Sequence, residues 1–211
     1  MVTVKICVPV SDKPQKHCQA DLDRLLPHGG TGNPVIVIDK MKSCYLYSAR
    51  NALIGGSWQV DEALRNAALF DYYWFIDSDI SGFSLDLLQR MICMGKDVVT
   101  VPYEPKESDG TMVCGTYNPG NIPRYRNMMK ENVFLYYQCD WSGMGCVLFH
   151  KSVFTRKLRF PWFYPVALTY YYNGFEYREV VGEDIAISRD LRARGIKFNI
   201  LNHPLVHKLD G

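Results

Sequence analysis

The chain lacks a long apolar run, a polybasic tract and a Cys-x-x-Cys pair. A membrane-spanning helix needs about 20 apolar residues, and the 211-residue sequence has no such run. The net charge is only +2, which argues against nucleic-acid and membrane-surface proteins. The seven cysteines are an odd set without metal-ligand spacing, so we interpret them as reduced thiols of a cytoplasmic protein. The amino-terminal residues alternate like a strand and do not resemble a signal peptide.

What the chain does have is enough apolar sequence for one core, because 47% of its residues are hydrophobic. Strand-like and helix-like segments alternate over residues 2–101. This order predicts an α/β fold in which a mostly parallel central sheet is flanked by helices and joined by right-handed crossovers. The sequence stops soon after a predicted strand, so we expect a domain cut from a longer chain, with further domains beyond residue 211.

The individual elements follow from local patterns. Strands are predicted at 2–10, 35–38, 73–76, 97–101, 146–149 and 198–201, and helices at 18–26, 48–70 with a break at Gly55-Gly56, 85–94, and 182–194. Ser84 is a predicted N-cap, and Gly95 a predicted helix-ending residue. Residues 102–132 contain four prolines, three glycines and four asparagines, a composition that predicts a lid or binding loop.

The most informative stretch is Asp77-Ser78-Asp79, which directly follows the apolar segment Tyr73–Ile76. In open α/β sheets, ligands bind at the carboxyl ends of the strands. Two neighbouring carboxylates are costly unless a cation neutralises them, and oxygen ligands suit Mg²⁺ or Mn²⁺. The pattern therefore indicates an ion that holds a diphosphate, although taken alone it also fits a surface turn with two solvated aspartates.

Five features occur in a fixed order along the chain. They are Pro9-Val10-Ser11, Asp39, Ser48-Ala49-Arg50-Asn51, Asp77-Ser78-Asp79 and Gly182-Glu183-Asp184. This ordered set resembles the GT-A fold nucleotide-sugar glycosyltransferases, particularly the inverting family-2-like group, over nearly the whole chain. It is also similar to the small glycosyltransferase domains of large algal viruses. The resemblance implies a nucleotide-binding half at 1–101 and an acceptor-binding half at 102–211.

On the donor side, the resemblance implies that Pro9, Val10 and Ser11 line the nucleobase pocket. Asp39 would accept a hydrogen bond from uracil, and Arg50 would reach the base or the diphosphate. The alternatives are a turn residue for Asp39 and a solvated helix residue for Arg50. The family's usual Asp-Asp-Gly-Ser is replaced here by residues 39–42, Asp-Lys-Met-Lys, so part of its nucleotide contact is missing.

The metal ligands implied by the resemblance are Asp77, Asp79 and His207. The second aspartate usually binds the ion directly, whereas the first contacts the ribose or a metal-bound water. His207 follows the last predicted strand, where many family members supply a further ligand, and His203 is its competitor. An imidazole beside carboxylates favours Mn²⁺ over Mg²⁺.

The general base of an inverting transferase is implied at Glu183 and Asp184. We expect Asp184 to deprotonate the acceptor hydroxyl and Glu183 to hold an acceptor hydroxyl, with the reverse assignment left open. Acidic residues in the first turn of a helix are also favoured by its macrodipole, which explains one of the two acids without any function.

The segment containing Trp141, Ser142 and Gly143 matches the family's floor for the donor sugar and acceptor. A glycine lets the backbone approach a sugar, and Trp141 offers a face for stacking. A glycine-rich turn before a strand is the alternative.

The aromatic block at 160–177 is expected to divide between core and acceptor groove. We assign Phe160, Trp162 and Phe163 to the core and some of Tyr170, Tyr171 and Tyr172 to the groove.

The resemblance thus implies a metal-dependent enzyme that moves a hexosyl or deoxyhexosyl unit from a UDP-sugar to a hydroxyl of a glycan or glycoprotein acceptor. Three alternatives stay open. A retaining mechanism in the same fold is one, and a non-catalytic nucleotide-sugar or glycan-binding module is another. A sugar-1-phosphate nucleotidyltransferase is the third, but it would need a glycine-rich loop after the first strand, and residues 10–16 contain no glycine.

Overall fold

The computed structural model describes residues 1–10, 14–25, 34–104, 112–117, 123–124, 138–172 and 175–207. Its strands are β1 (Thr3–Val10), β2 (Val35–Lys42), β3 (Tyr72–Ile76), β4 (Ile80–Ser81), β5 (Val98–Thr100), β6 (Cys114–Tyr117), β7 (Pro123–Arg124), β8 (Gln138–Cys139), β9 (Trp141–Ser142), β10 (Cys146–His150), β11 (Val166–Tyr172), β12 (Phe175–Val181), β13 (Phe198–Ile200) and β14 (Val206–His207). Its helices are α1 (Lys16–Leu25), α2 (Leu46–Gly55), α3 (Val60–Asn66), α4 (Leu85–Cys93) and α5 (Glu183–Arg192), with a π-helical turn at Val153–Lys157. In these ranges no helix is long and apolar enough to cross a membrane.

The core of the fold is a seven-stranded mixed sheet with the order β2-β1-β3-β10-β5-β13-β8. Strand β1 pairs in parallel with both β2 and β3, and β13 pairs in parallel with β5. Strand β10 runs antiparallel between β3 and β5, and β8 is antiparallel to β13. The predicted single-domain α/β fold with a mostly parallel sheet is therefore confirmed.

Both faces of the sheet are buried, which explains why its central strands are almost continuously apolar. Along β3, Tyr73 and Phe75 enter one hydrophobic cluster, whereas Trp74 and Ile76 enter the other, because successive side chains of a strand point to opposite faces. The first cluster includes residues of α2, α3 and α5, and the second includes residues of α1 and α4. The molecule is consequently a three-layer α/β/α sandwich.

Local signals in the sequence set several element boundaries. The Ser84 side chain accepts a hydrogen bond from the Leu87 amide at 3.2 Å and caps α4 as predicted. Gly56, after α2, and Gly95, after α4, have φ of 61° and 60°, a left-handed conformation that favours glycine. The predicted long helix is accordingly split into α2 and α3 at the Gly55-Gly56 break.

Two elements differ from the sequence predictions. Strand β2 does not end at Asp39 but continues to Lys42, because its whole length pairs with β1. The aromatic block contains an antiparallel ribbon, β11–β12, that the sequence analysis did not anticipate. Most of the predicted lid at 102–132 lies outside the described residues.

Candidate functional site

The carboxyl ends of parallel strands β1, β3 and β5 meet at one edge of the sheet. Strand β3 ends at Ile76, so Asp77-Ser78-Asp79 forms the turn that leaves the core. The Asp77 amide donates to the Gly145 carbonyl at 3.1 Å, and the Ile80 amide donates to the Asp77 carbonyl at 3.0 Å. This tight turn sends the two aspartate carboxylates to different partners.

Asp79 faces His207. Strand β14 pairs with β4 so that His207 lies opposite Ile80, next to Asp79 in sequence, and its Nε2 is 3.3 Å from Asp79 Oδ2. The His207 Nδ1 is 3.1 Å from the Glu104 carbonyl oxygen, which can only accept, so Nδ1 must carry a proton. In a neutral imidazole the Nε2 lone pair would then face a carboxylate oxygen. A divalent cation bound to both groups would make this arrangement favourable.

This donor set suits a divalent cation in part. Asp79 and His207 supply one oxygen and one nitrogen, a combination that Mn²⁺ accepts. However, no group of three or more His, Cys, Asp and Glu side chains converges on a metal-sized position within the described ranges. The structure places Asp79 and His207 in contact, whereas Asp77 Oδ1 is paired with Arg50, so Asp77 as a third metal ligand remains a prediction.

The partner of Asp77 is Arg50, which projects from α2 and is only 2% exposed. Arg50 Nη2 donates to Asp77 Oδ1 at 2.8 Å, and Nη1 donates to Glu183 Oε1 at the start of α5. Burial alone would lower the pKa of Arg50, but Asp77 and Glu183 raise it above its usual value. One guanidinium therefore joins the carboxylate turn after β3 to the acidic first turn of α5. The predicted contact of Arg50 with a base or diphosphate is replaced, in this structure, by these two ion pairs.

Asp184 differs from its neighbour Glu183 in environment. Its Oδ1 accepts from the Ile185 amide at 2.8 Å. Burial raises the pKa of Asp184 above the ordinary value for aspartate, opposed by Arg50 and reinforced by the Glu183 carboxylate. A carboxylate that binds protons more tightly than usual is a better proton acceptor near neutral pH. Of the two acids, Asp184 is the one suited to a base, and Glu183 is fixed by Arg50.

A cleft of about 360 Å³ opens in front of the Asp77-Ser78-Asp79 turn. Its walls contain six of the residues predicted for the donor or metal site, Pro9, Val10, Asp77, Ser78, Asp79 and His207. They also contain Ser43, Cys44, Leu46, Ala49 and Tyr103. The cleft falls in the size range of small-molecule sites. Ser11, the remaining residue of the predicted base-binding loop, lies outside the described residues.

Sequence reasoning missed Ser43, Cys44 and Tyr103 as wall residues. Each of them follows a strand of the parallel set, since Ser43 and Cys44 come after β2 and Tyr103 comes after β5. The rule that ligands bind at the carboxyl ends of strands would have found them if the strand ends had been placed correctly.

Asp39 is not among the residues that line this cleft. Its Oδ2 lies 2.9 Å from the Nζ of Lys5, and in the sheet Asp39 pairs with Cys7 of β1. The residue is thus inside the strand, three positions before its end, and not at the edge where the base was expected. Its predicted hydrogen bond to uracil has no support from this arrangement.

The predicted sugar floor is also corrected. Trp141 is 1% exposed and packs with Leu168, Val181 and Ile185, so its ring has no free face for stacking. The buried Ser142 hydroxyl forms a 2.7 Å hydrogen bond with Thr100.

Gly143 makes room for a tyrosine, not for a sugar. A Cβ atom there would lie 2.7 Å from the Tyr103 hydroxyl oxygen. The same ring of Tyr103 lies edge-on to the His207 ring, with 5.1 Å between the ring centroids, and this contact helps to fix the orientation of the histidine.

The three aromatic residues expected in the core of the aromatic block do pack there. Trp162 and Phe163 are buried in the core, and Phe160 packs against it while partly exposed. The backbones of Tyr170, Tyr171 and Tyr172 belong to β11, whereas their side chains lie outside the described part of the molecule. Their predicted place in an acceptor groove remains a prediction.

Comparison with known proteins identifies the fold but not the activity. No family model matches the chain, and no curated protein matches it. Among solved structures, the chain is similar to A197 from STIV, with 14% identity, a TM-score of 0.58, and coverage of 100% of this chain and 87% of that one.

A second similar structure is the glucosyl-3-phosphoglycerate synthase from Mycobacterium tuberculosis in complex with Mn²⁺, UDP and phosphoglyceric acid. It shares 13% identity at a TM-score of 0.50, over 100% of this chain and 72% of that one. At such identities the likeness establishes architecture and leaves chemistry to the residues of the site. The chain has a GT-A-like α/β fold.

Proposed function

We propose that this protein is a metal-dependent glycosyltransferase that moves a hexosyl or deoxyhexosyl unit from a UDP-sugar to a glycan hydroxyl with inversion. The observation that carries the proposal is the Asp79–His207 pair in the wall of a nucleotide-sized cleft, with 3.3 Å between Asp79 Oδ2 and His207 Nε2. The GT-A-like fold, shared with a synthase crystallised with Mn²⁺ and UDP, supports the same assignment.

Asp79 and His207 would hold Mn²⁺ or Mg²⁺ in this proposal. When bound, the ion neutralises the negative charge that develops on the departing diphosphate. Pro9, Val10 and Cys44, which line the same cleft, would contact the nucleoside. Tyr103 and Glu104 orient His207 by a ring contact and a backbone hydrogen bond.

Asp184 is the proposed general base. Its carboxylate takes the proton from the acceptor hydroxyl while that oxygen attacks C1 of the donor sugar and the bond from C1 to the diphosphate oxygen breaks. General-base assistance of this kind contributes roughly 10²–10⁴ in rate. Arg50 contributes by position, because it holds Asp77 and Glu183 on either side of itself and so fixes the first turn of α5 relative to the end of β3.

The test is thermal unfolding with UDP, GDP or CDP, each with and without Mn²⁺. A ligand at about 100 times its Kd adds roughly 2.7 kcal/mol to the free energy of unfolding. We expect stabilisation by UDP with Mn²⁺ in the wild type and its loss in Asp79→Ala. Asp86→Ala is the matched control, since Asp86 is an exposed aspartate on α4 outside the cleft. An absence of any nucleotide effect on the wild type would refute the donor site.

Cys44 offers an independent probe of the same cleft. Of the seven cysteines, only Cys44 and Cys93 are exposed, and Cys44 lines the cleft whereas Cys93 ends α4. Thiol alkylation requires access to the sulfur. UDP and Mn²⁺ at about ten times the Kd should therefore slow iodoacetamide labelling of Cys44 about tenfold. Labelling of Cys93, followed in the same mass spectra, should not change, and equal protection of both thiols would contradict the location of the site.

A further inference from the structure

His203, the alternative to His207 in the predicted metal site, binds a backbone group instead. Its Nε2 lies 2.8 Å from the Gly82 carbonyl oxygen, and His203 is not among the residues that line the cleft at Asp79. A carbonyl oxygen can only accept a hydrogen bond, so Nε2 of His203 carries the proton and donates. Both histidines belong to residues 202–207, which follow β13 and which we call the His207 segment.

The His207 segment meets the rest of the site through a short pairing with β4. Val206 lies opposite Ser81, and His207 lies opposite Ile80. Leu205 packs against the hydrophobic cluster that contains Ile80, whereas Val206 is 40% exposed. This alternation selects the face of the segment that is turned to the core, but a shift by two residues would preserve it, because strand side chains repeat with a period of two. The alternation therefore does not by itself fix where along β4 His207 lies.

Gly82, which directly follows β4, brings the two backbones close together. Its φ of 91° is a conformation that favours glycine. A Cβ atom at this position would lie 3.1 Å from the Pro204 carbonyl oxygen, so the His207 segment passes Gly82 at close range. The hydrogen bond from His203 fits one placement of the segment, since a shift by two residues would displace the imidazole by about 7 Å.

The backbone of Gly82 is also held by Asp21 of α1. The Gly82 amide donates to Asp21 Oδ2 at 2.7 Å, and Asp21 is only 8% exposed. Just before α1, the Gln15 amide donates to the Ser78 carbonyl at 2.8 Å. The carbonyl to which His203 donates is thus fixed relative to the turn that carries the metal-site aspartate, because α1 holds both.

Within the described residues, two further side-chain hydrogen bonds hold the His207 segment, and both are longer than the 2.8 Å bond of His203. Arg90 Nη2 donates to the Asn202 carbonyl at 3.3 Å, from a side chain that is 44% exposed. His207 Nδ1 donates to the Glu104 carbonyl at 3.1 Å, which fixes the rotation of the ring once the backbone is in place. The shortest tie between the segment and the end of β4 is therefore the one from His203.

We propose that His203 is a positioning residue for His207. By donating to the Gly82 carbonyl, it sets the place of the His207 segment on β4, so that His207 Nε2 lies 3.3 Å from Asp79 Oδ2. Binding of a cation by these two groups rests on the proposed function. The placement of His207 by His203 does not, so the two have separate tests.

The placement is measured without metal, by amide hydrogen exchange of the peptides that cover residues 202–207. The net contribution of one hydrogen bond corresponds to a factor of roughly 2–12 in an equilibrium constant. His203→Ala should therefore exchange at least about threefold faster than the wild type in these peptides. His203→Gln, whose Nε2 can donate to the same carbonyl, should restore most of the protection. Unchanged exchange in His203→Ala would overturn the proposal.

Metal binding is measured with Mn²⁺ in the presence of UDP, from the electron paramagnetic resonance signal of the free ion. His203→Ala should weaken Mn²⁺ binding at least about threefold, because the ion must then also order His207. His203→Gln should bind Mn²⁺ within about twofold of the wild type, because the placement is restored. The matched control is Val206→Thr, which changes an exposed β-branched side chain of the same segment and should bind Mn²⁺ as the wild type does.

Thermal unfolding of the same variants separates positioning from a general effect on stability. The hydrogen bond of His203 is exposed, so the midpoint of His203→Ala should stay within about 2 °C of the wild type. A lower midpoint with unchanged Mn²⁺ affinity would show that His203 only stabilises the fold, and would overturn the proposal.

The two measurements also separate this proposal from the proposed function. If Mn²⁺ does not bind to the wild type but His203→Ala accelerates exchange at 202–207, the metal hypothesis fails and the placement of His207 by His203 stands. If the wild type binds Mn²⁺ and His203→Ala binds it equally well, the metal hypothesis stands and His203 is not a positioning residue.

Discussion

Replacing Arg50 with methionine is expected to lower the free energy of unfolding by about 3 kcal/mol. Removing one partner of a buried ion pair typically costs about 3–5 kcal/mol, because the remaining charge is left without compensation. Here the Asp77 and Glu183 side chains are 25% and 13% exposed, and their residual contact with water places the loss at the lower end of that range. For a chain of this length the midpoint of thermal unfolding should fall by about 6–12 °C.

The structure supplies controls for this prediction. Arg65→Met removes an exposed arginine from α3 and should change stability by no more than about 0.5 kcal/mol. Arg50→Lys retains the charge but lacks the planar fork that reaches both carboxylates, so it should recover only part of the loss. Adding Glu183→Gln to Arg50→Met should be less costly than the sum of the single changes, because the two side chains interact directly. Urea unfolding measures these four variants and Glu183→Gln alone, and a loss under 1 kcal/mol for Arg50→Met would show that the two ion pairs do not stabilise the fold.

The Asp184→Asn variant is expected to lose about 10²–10⁴ in kcat while it binds UDP and Mn²⁺ as the wild type does. Asparagine preserves the shape of the side chain and can still accept the hydrogen bond from the Ile185 amide. It has no basic oxygen that could take a proton from an acceptor hydroxyl. Transfer would be measured with the UDP-sugar that most stabilises the wild type.

The Asp184→Asn substitution, which lowers activity, should leave the stability of the fold unchanged or raise it. Burial raises the pKa of Asp184, so the native state binds the proton of this carboxyl more tightly than the unfolded state does. The stability that this group contributes is therefore present below its unfolded pKa and is lost as pH rises through the higher folded pKa. At neutral pH the ionised carboxylate of Asp184 lowers the free energy of unfolding. Asp184→Asn should therefore unfold at the same temperature as the wild type or at a higher one.

The pH dependence sharpens this test. As pH rises from acid to neutral, the thermal midpoint of Asp184→Asn should move above that of the wild type. As pH is lowered, the kcat of the wild type should begin to fall at a pH above the usual pKa of aspartate, because the base becomes protonated. If Asp184→Asn is instead destabilised at neutral pH and retains turnover, whereas Glu183→Gln loses it, the two acids have exchanged roles.

The features that the sequence predicted well are those decided by neighbours along the chain. The buried strand β3 with its following Asp77-Ser78-Asp79, the Ser84 cap and the Gly95 helix end all depend on a few adjacent residues. The alternation of these elements was also sufficient to predict a mostly parallel α/β sheet, because helical crossovers restrict the possible topologies.

The features that were predicted wrongly are decided by contacts between distant segments. Trp141 was expected to meet a sugar, but β11, β12 and α5 bury it. Asp39 was expected at a strand end, but pairing with β1 extends the strand past it. The requirement for glycine at position 143 comes from Val113 and Tyr103, 30 and 40 positions earlier in the chain.

By itself, the sequence determined the residue types of the site and their order, because an apolar strand that ends in two carboxylates carries that information locally. The tertiary structure decided the environment of each acid. Arg50 is 27 residues from Asp77 and 133 from Glu183, yet one buried guanidinium joins the two and leaves Asp184 as the acid with a raised pKa. Only the folded chain fixes such distances and degrees of burial, and the strength of a charge interaction depends on both.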